Sequence, residues 1–336
     1  MTRILPGEFE AHAGTVMCWP ARESIYKGRI ADAEKAHALV ANTIAEFEPL
    51  TLLVTPASVA SANKLCGASV EIVTLEMDDA WFRDTGPIYT KDYHPGGEVE
   101  LVATDWEFNG WGEKFLPFDR DASLARRFVE LRGHKLESVP VVLEGGSITG
   151  NGAGLLATTE QCLLNRNRNP GLTRSELEST LLTHLGAELM LWLPHGLALD
   201  FDTDGHVDNV AAFADERTLL LQMCSDSSEP DHGRMIENRT ITENFIEANQ
   251  LGIEIVEIPV LPFIGSGSDR SAVPYLNLYI GNGFVLVPVA DQSTDNAMLG
   301  IIRQVFAGRE VIGLNVGEIL AVGGGGIHCI TQQIPA

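Results

Sequence analysis

Five times along this chain a helical pattern ends on a glycine and passes into a β-rich run, and that recurrence restricts the fold more than composition does. The copies are Leu65-Cys66-Gly67 ahead of residues 70–75, Leu131-Arg132-Gly133 ahead of 136–143, His184-Leu185-Gly186 ahead of 188–193, Gln250-Leu251-Gly252 ahead of 253–260, and Phe306-Ala307-Gly308 ahead of 310–316. Their glycines lie 53 to 66 residues apart, so five copies fill nearly the whole chain, and one closed, ring-like domain over residues 1–336 explains that better than two unrelated domains. Thr173 and Glu176 read as a capping box, with Leu177, Leu181, Leu182 and Leu185 as the buried stripe of the helix that follows. An earlier helix over 30–47 stops at Pro49. Further strands are expected at 155–158, 162–165, 210–213, 218–223, 276–280 and 284–289, with Gly281-Asn282-Gly283 as a hairpin turn. Residues 225–233 and 262–271 read as loops.

A formal charge of -23, from 23 Lys+Arg against 46 Asp+Glu, argues against nucleic acid and anionic membranes as partners and favours a cationic one. The five cysteines, Cys18, Cys66, Cys162, Cys224 and Cys329, are scattered without a C-x-x-C pair, which suits free thiols in a reducing compartment. Residues 1–14 carry Glu8, Glu10 and His12 where a secretion signal needs an apolar core, so the expectation is a cytoplasmic protein.

The residues that look chemical follow the glycine-strand units. Trp81-Phe82-Arg83-Asp84-Thr85-Gly86-Pro87 follows the first, Glu144-Gly145-Gly146 the second, and Gly205-His206-Val207-Asp208-Asn209 the third. The fifth is followed by four glycines, Gly323 to Gly326, and then Ile327-His328-Cys329 at the start of a strand. Each has a plain structural alternative. Cys329 alone suits a buried core thiol, Asp84 a turn, Glu144 an exposed turn, Trp81 the core, and His206-x-Asp208 a structural pair or part of a metal site. Strand alternation would put His206 and Asp208 on one face, and would turn His328 away from Cys329 and Arg83 away from Asp84. The run Asn165-Arg166-Asn167-Arg168-Asn169-Pro170 reads as a hydrogen-bonded structural loop. Taken together, a thiol, an imidazole and several carboxylates, without a phosphate loop or a dinucleotide fingerprint, suit attack on a cationic, electron-poor carbon such as that of a guanidinium.

Residues 81–87, 144–147, 163–170, 205–209 and 323–333 resemble the motifs of agmatine deiminases, in the guanidine-modifying (pentein) superfamily, and the likeness runs from Met17-Cys18-Trp19-Pro20 to the C-terminus. The resemblance implies an α/β fold, a five-bladed α/β propeller with pseudo-fivefold symmetry and its site on the axis. It implies Cys329 as nucleophile, His206 as general acid and base, Asp84 and Asp208 as guanidinium clamps, Glu144 as the carboxylate holding His206, and Trp81 as a wall for the substrate's alkyl chain. The implied reaction converts agmatine to N-carbamoylputrescine and ammonia through a covalent adduct on Cys329, with no metal or organic cofactor, in a homodimer. Asp78 and Gly326 stand where that family usually has asparagine, and the loop over 262–271 is short for it. The alternatives are a deiminase of another guanidine or amidine, a zinc hydrolase using Cys329, His206 and a carboxylate, and a non-enzymatic binding scaffold.

Overall fold

The computed structural model describes residues 2–336; Met1, the first residue of the expected domain, lies outside the described residues. One unit is repeated: a strand pairs antiparallel with the next, a helix crosses over, and a third strand returns parallel to the second. In one sheet these strands are Ile88–Tyr93, Val99–Glu107 and Lys135–Val142, with Thr2–Ile4 added antiparallel at the edge. Ile148–Gly150, Leu155–Thr159 and Leu189–Leu193 make the next, and Ala211–Asp215, Thr218–Gln222 and Glu254–Ile258 another. Tyr279–Gly281, Phe284–Val289 and Glu310–Asn315 make a fourth. In the remaining sheet the C-terminal strand Thr331–Pro335 pairs antiparallel with His12–Cys18, which runs parallel to Leu50–Val54 and then Val70–Thr74. The sheets stay separate, and none of them closes on itself.

The middle strands explain themselves physically. Leu50–Val54, Leu155–Thr159 and Phe284–Val289 are buried along their whole length, as parallel strands covered by crossover helices must be. The helix Arg174–Leu185 opens on a complete capping box from Thr173 and Glu176 and stops at Gly186, whose φ of 66° releases the chain into the next strand. Leu177, Leu181 and Leu185 are buried under it, while Leu182 is only partly covered. The hairpin at Asn282-Gly283 is as expected: Gly281 pairs with Phe284, and Asn282 adds bonds to Glu48 and to the His12 carbonyl.

Several local expectations need correction: of the strand expected over 276–280 only Tyr279–Gly281 forms, and the loop expected over 225–233 gives way at Pro230 to the helix Pro230–Asn249. Residues 162–165 are not a strand: the helical turn Glu160–Leu163, capped by Thr159, occupies that stretch. The loop around 262–271 contains a two-stranded ribbon, Phe263–Ile264 with Ser271–Ala272. The sheet built on His12–Cys18 holds one helix and one parallel strand more than its counterparts. Its crossover helix Ile30–Ile44 leads to Leu50–Val54, and only the second helix, Val59–Leu65, precedes Gly67 and Val70–Thr74.

No helix among the described residues is long and apolar enough to cross a membrane. The stripe under the capped helix gives a direct test. Leu181→Ala should lower stability by roughly 2–5 kcal/mol, and Leu182→Ala by clearly less, read as shifts of the urea midpoint.

Candidate active site

After its last parallel strand, each of the five units sends one short segment toward the same place. The turn Phe82–Thr85 packs against both Gly145–Ser147 and His328–Ile330, and Gly145–Ser147 packs against Val207–Asn209. The fourth unit, for which sequence reading found no candidate, contributes Asn277, whose carbonyl accepts from the His328 amide at 3.1 Å. Asp84, Glu144, His206, Asp208 and Cys329 are thereby brought together, all buried.

The local conformations differ from the expected strands. Asp84 sits in a helical turn, Asp208 in a 3-10 turn beginning after His206, and Cys329 in a 3-10 turn immediately before the strand Thr331–Pro335. Alternation therefore does not govern these side chains. His328, expected to turn away, bonds through Nδ1 to Asp208 Oδ2 at 2.9 Å and through Nε2 to Glu8 at 2.9 Å. Arg83 does point away from Asp84, toward Glu8 at 3.2 Å and the His328 carbonyl at 3.4 Å, but because a helical turn separates the two side chains. Glu144 is wholly buried rather than exposed.

Glu144 and Asp208 are each held on one oxygen and left open on the other, while both oxygens of Asp84 are bonded. Asp84 accepts from Trp111 Nε1 at 2.9 Å and from the Gly146 amide at 2.8 Å, and lies 3.8 Å from His206 Nδ1. Glu144 is gripped by Arg168 Nε at 2.5 Å, while Oε2 and both ring nitrogens of His206 have no protein hydrogen-bond partner. Arg168 is also anchored by Asp204 at 2.9 Å and the Thr203 carbonyl at 3.0 Å, so the asparagine-arginine loop is structural as expected, yet it braces a site carboxylate. Asp208 Oδ1 is likewise buried without a partner. The loop carrying His206 and Asp208 is tied by Asp200, which takes bonds from the His206 amide at 3.1 Å and Asn209 at 3.3 Å.

Cys329 Sγ stands 3.4 Å from Asp208 Oδ2 and receives Asn277 Nδ2 at 3.2 Å. The glycine run ahead of it is a matter of space. A Cβ on Gly325 would lie 2.6 Å from the Trp81 ring and 3.1 Å from Sγ, and one on Gly326 would lie 2.4 Å from Asn277 Oδ1. Gly326 therefore borders the reaction centre and makes room for the Asn277 amide. Asp78, the other departure, staples a loop: its amide donates to Asp121 at 2.8 Å and its carboxylate accepts from the Arg120 amide at 2.9 Å. A cleft lined by Asp79, Trp81, Asp84, Trp111, Phe115, Asp202, Thr203, Gly323 and Gly324 reaches down to Cys329.

The electrostatics follow from this packing. Burial, then Asp208 and Asp84, push the Cys329 thiol well above its ordinary range, so the empty site holds it protonated. Burial alone would lower the His206 imidazole, but Asp84, followed by Cys162 and Glu144, outweighs it and holds the ring well above its usual value. Burial raises Asp84, with Asp208 and Glu144 adding to the rise against His206. A cation placed between Asp84 and Asp208 would offset the carboxylate charge that raises Cys329 and Asp84, while working against the charged form of His206. Among the described residues the set with ligand atoms close enough to share a metal is Glu144, Cys162 and His206, which leaves out Cys329. The site residues sequence reading missed are Trp111, Asn277 and the bracing Glu8, Arg168 and His328. Trp111 alone had a local signal, being enclosed by glycines in Asn109-Gly110-Trp111-Gly112, where its φ is 55°.

The pattern of the Porphyromonas-type peptidyl-arginine deiminase family matches residues 4–335. The chain belongs to this family, and with that to the deiminases of guanidine compounds. The agmatine deiminases of Stutzerimonas stutzeri and Ectopseudomonas mendocina are each 36% identical over 356 residues, covering 99% of this chain and 95% of theirs. Among solved structures, the agmatine deiminase of Enterococcus faecalis superposes with a TM-score of 0.93 at 28% identity, covering 99% of this chain and 96% of its own.

Gly146 offers a test of how tightly the site is assembled. A Cβ there would approach His206 Nδ1 at 2.7 Å and carboxylate oxygens of both Asp208 and Asp84 at 2.9 Å. Gly146→Ala should reduce kcat/KM by about 100-fold through misplacement, with a loss of stability of only about 1–3 kcal/mol from the crowding; full activity would mean that these three groups need not stay in register.

Proposed function

We propose that this chain hydrolyses agmatine to N-carbamoylputrescine and ammonia. The observation that carries the reading is the lining of the cleft over Cys329. Acids stand at both ends, with buried Asp84 at one and exposed Asp202 at the other, while Trp81, Trp111 and Phe115 supply apolar wall and no lysine or arginine is among the lining residues; Asp79, also in the lining, is buried and paired with Arg22. Agmatine has that pattern: a guanidinium, an alkyl chain and a terminal ammonium. Free arginine would bring a carboxylate among these acids, where Lys114, the lysine beside Asp202, is already engaged by Asp204 at 2.7 Å and by the Phe201 carbonyl. Burial raises the Asp202 carboxyl, helped by Asp200, so an ammonium beside it would also satisfy a strained acid.

In this reading Asp84 and Asp208 clamp the guanidinium, Trp81 and Trp111 flank the chain, and Asp202 meets the amine. The arriving cation offsets the two carboxylates that hold Cys329 protonated, so the substrate itself promotes release of the thiol proton to solvent and leaves a thiolate beside the still-charged His206. Sγ adds to the guanidinium carbon, and His206, charged in the free enzyme, protonates the departing ammonia. The ring then takes a proton from water as the water displaces sulfur, and the nearby Glu144 favours the charged ring by its charge. The five strand-strand-helix-strand units, each sending one segment to the site, support a five-bladed propeller built about that point as one domain. The five free cysteines suit a reducing, cytoplasmic compartment.

Three measurements test this. Ammonia release from agmatine should exceed that from free arginine by at least about 100-fold in kcat/KM, since an unpaired buried carboxylate costs several kcal/mol; equal turnover of arginine or an arginyl peptide would remove agmatine as the substrate and leave the guanidine chemistry. Acid quenching during turnover should add mass to the Cys329 peptide and to no other cysteine. Cys329→Ser, His206→Ala and Asp208→Ala should each abolish ammonia release while the protein stays folded, which the scaffold reading does not allow.

A further inference from the structure

A second histidine stands at this site, and its surroundings are unlike those of His206. His328 is flanked by carboxylates on both ring nitrogens: Nδ1 lies 2.9 Å from Asp208 Oδ2, and Nε2 lies 2.9 and 3.0 Å from the two oxygens of Glu8. A neutral imidazole has one N–H and one lone pair, so it would set a lone pair against one of these carboxylates. Only the doubly protonated ring donates to both.

The surrounding groups keep that arrangement in place. Glu8 arrives from the segment before His12–Cys18 and is fixed by Arg83 Nη1 at 3.2 Å, and Arg83 also reaches the His328 carbonyl at 3.4 Å. The Glu8 carbonyl is bonded to His12 Nε2 at 2.9 Å. Glu8, Arg83, Asp208 and the neighbouring Cys329 are the titratable and charged groups that face the ring. Burial and Arg83 push His328 down, yet Glu8 and Asp208 prevail and its pKa is raised. Burial also works against the Glu8 charge, but Arg83 and His328 overcome it and hold that carboxyl at about 2.

The consequence falls on Asp208. One of its oxygens is used by His328 and lies 3.4 Å from Cys329 Sγ, while the other is buried and open. We propose that His328 is a positioning residue: as an imidazolium bridging Glu8 and Asp208, it fixes Asp208 with Oδ1 presented to the guanidinium and offsets the charge that opposes ionisation of Cys329. Glu8, though far from the cleft lining, is the outer support of this bridge. It borders a recess with Asp208 and His328 that shares no lining residue with the cleft over Cys329. The inference rests on the proposed function only through the guanidinium role given to Asp208.

The test uses His328→Gln, Glu8→Gln and the double variant of the full chain. Its first readout is the pH dependence of Cys329 alkylation by iodoacetamide, followed on the Cys329 peptide without substrate. Its second is kcat and KM for agmatine across pH. An adjacent cation shifts an ionisation by about 1–3 units, so His328→Gln should move the alkylation midpoint up by about one unit or more and lower kcat more than it raises KM. His328 acts in its charged form, present below its raised pKa and lost as pH rises through it. Glu8→Gln removes one of the carboxylates that raise it, and should therefore move the alkaline decline of kcat/KM to lower pH. The double variant should be no worse than His328→Gln alone, since both changes break one bridge. An unchanged alkylation midpoint in His328→Gln, an unchanged alkaline limb in Glu8→Gln, or additive losses in the double variant would overturn the proposal. Because alkylation needs no substrate, failure of the bridge is distinguishable from failure of the agmatine reading, which would show as lost preference with the midpoint shift intact.

Discussion

The constraint on which the rest of this structure depends is the burial of three carboxylates, Asp84, Glu144 and Asp208, around one thiol. Ions this far from water are tolerated only when each is hydrogen-bonded and offset by charge. The protein answers each differently: an indole and a backbone amide for Asp84, a buried guanidinium for Glu144, and an imidazole for Asp208. In every case an acceptor position is left over, or the nearest cation is beyond hydrogen-bond range. The site is therefore satisfied well enough to fold and remains short of positive charge, the condition a guanidinium would relieve.

The supports come from distant parts of the chain because no single unit can supply them. Arg168, which holds Glu144, is itself held by Asp204 and Thr203 from the loop that delivers His206. Asn109 bonds Gly112 and the Asn167 carbonyl, fixing the turn that aims Trp111 at Asp84. The outer braces thus link neighbouring units to one another. Small separate sheets with crossover helices provide a rigid frame, and the functional side chains sit on short turns leaving it, where conformation is set by packing rather than by strand geometry.

Those turns are also where reading the sequence reached its limit. The repeating helix, glycine and strand were legible because hydrophobic period and helix-stop residues are local properties, and the capping box at Thr173 and the hairpin at Gly281 were legible for the same reason. His206, Asp208, Asp84, Glu144 and Cys329 could be named because unusual polar residues follow successive strands, and because the surrounding motifs resemble a known family. Their orientation could not be read. Alternation assumes extended backbone, and the chain at Asp84, Asp208 and Cys329 is helical or 3-10 instead, which is why His328 was turned to the wrong side.

The sequence by itself determined the five-part plan, the acidic character and the set of reactive groups, since each is written in residue type and spacing. Only the tertiary structure decided that Asn277 completes the fourth unit's contribution, that Trp111 and Arg168 secure two of the acids, and that Glu8 reaches His328 across 320 residues of chain. The physical reason is that these partners are single polar side chains without a period or neighbouring motif, whose meaning arises only when packing removes water and leaves each buried charge dependent on the atoms beside it.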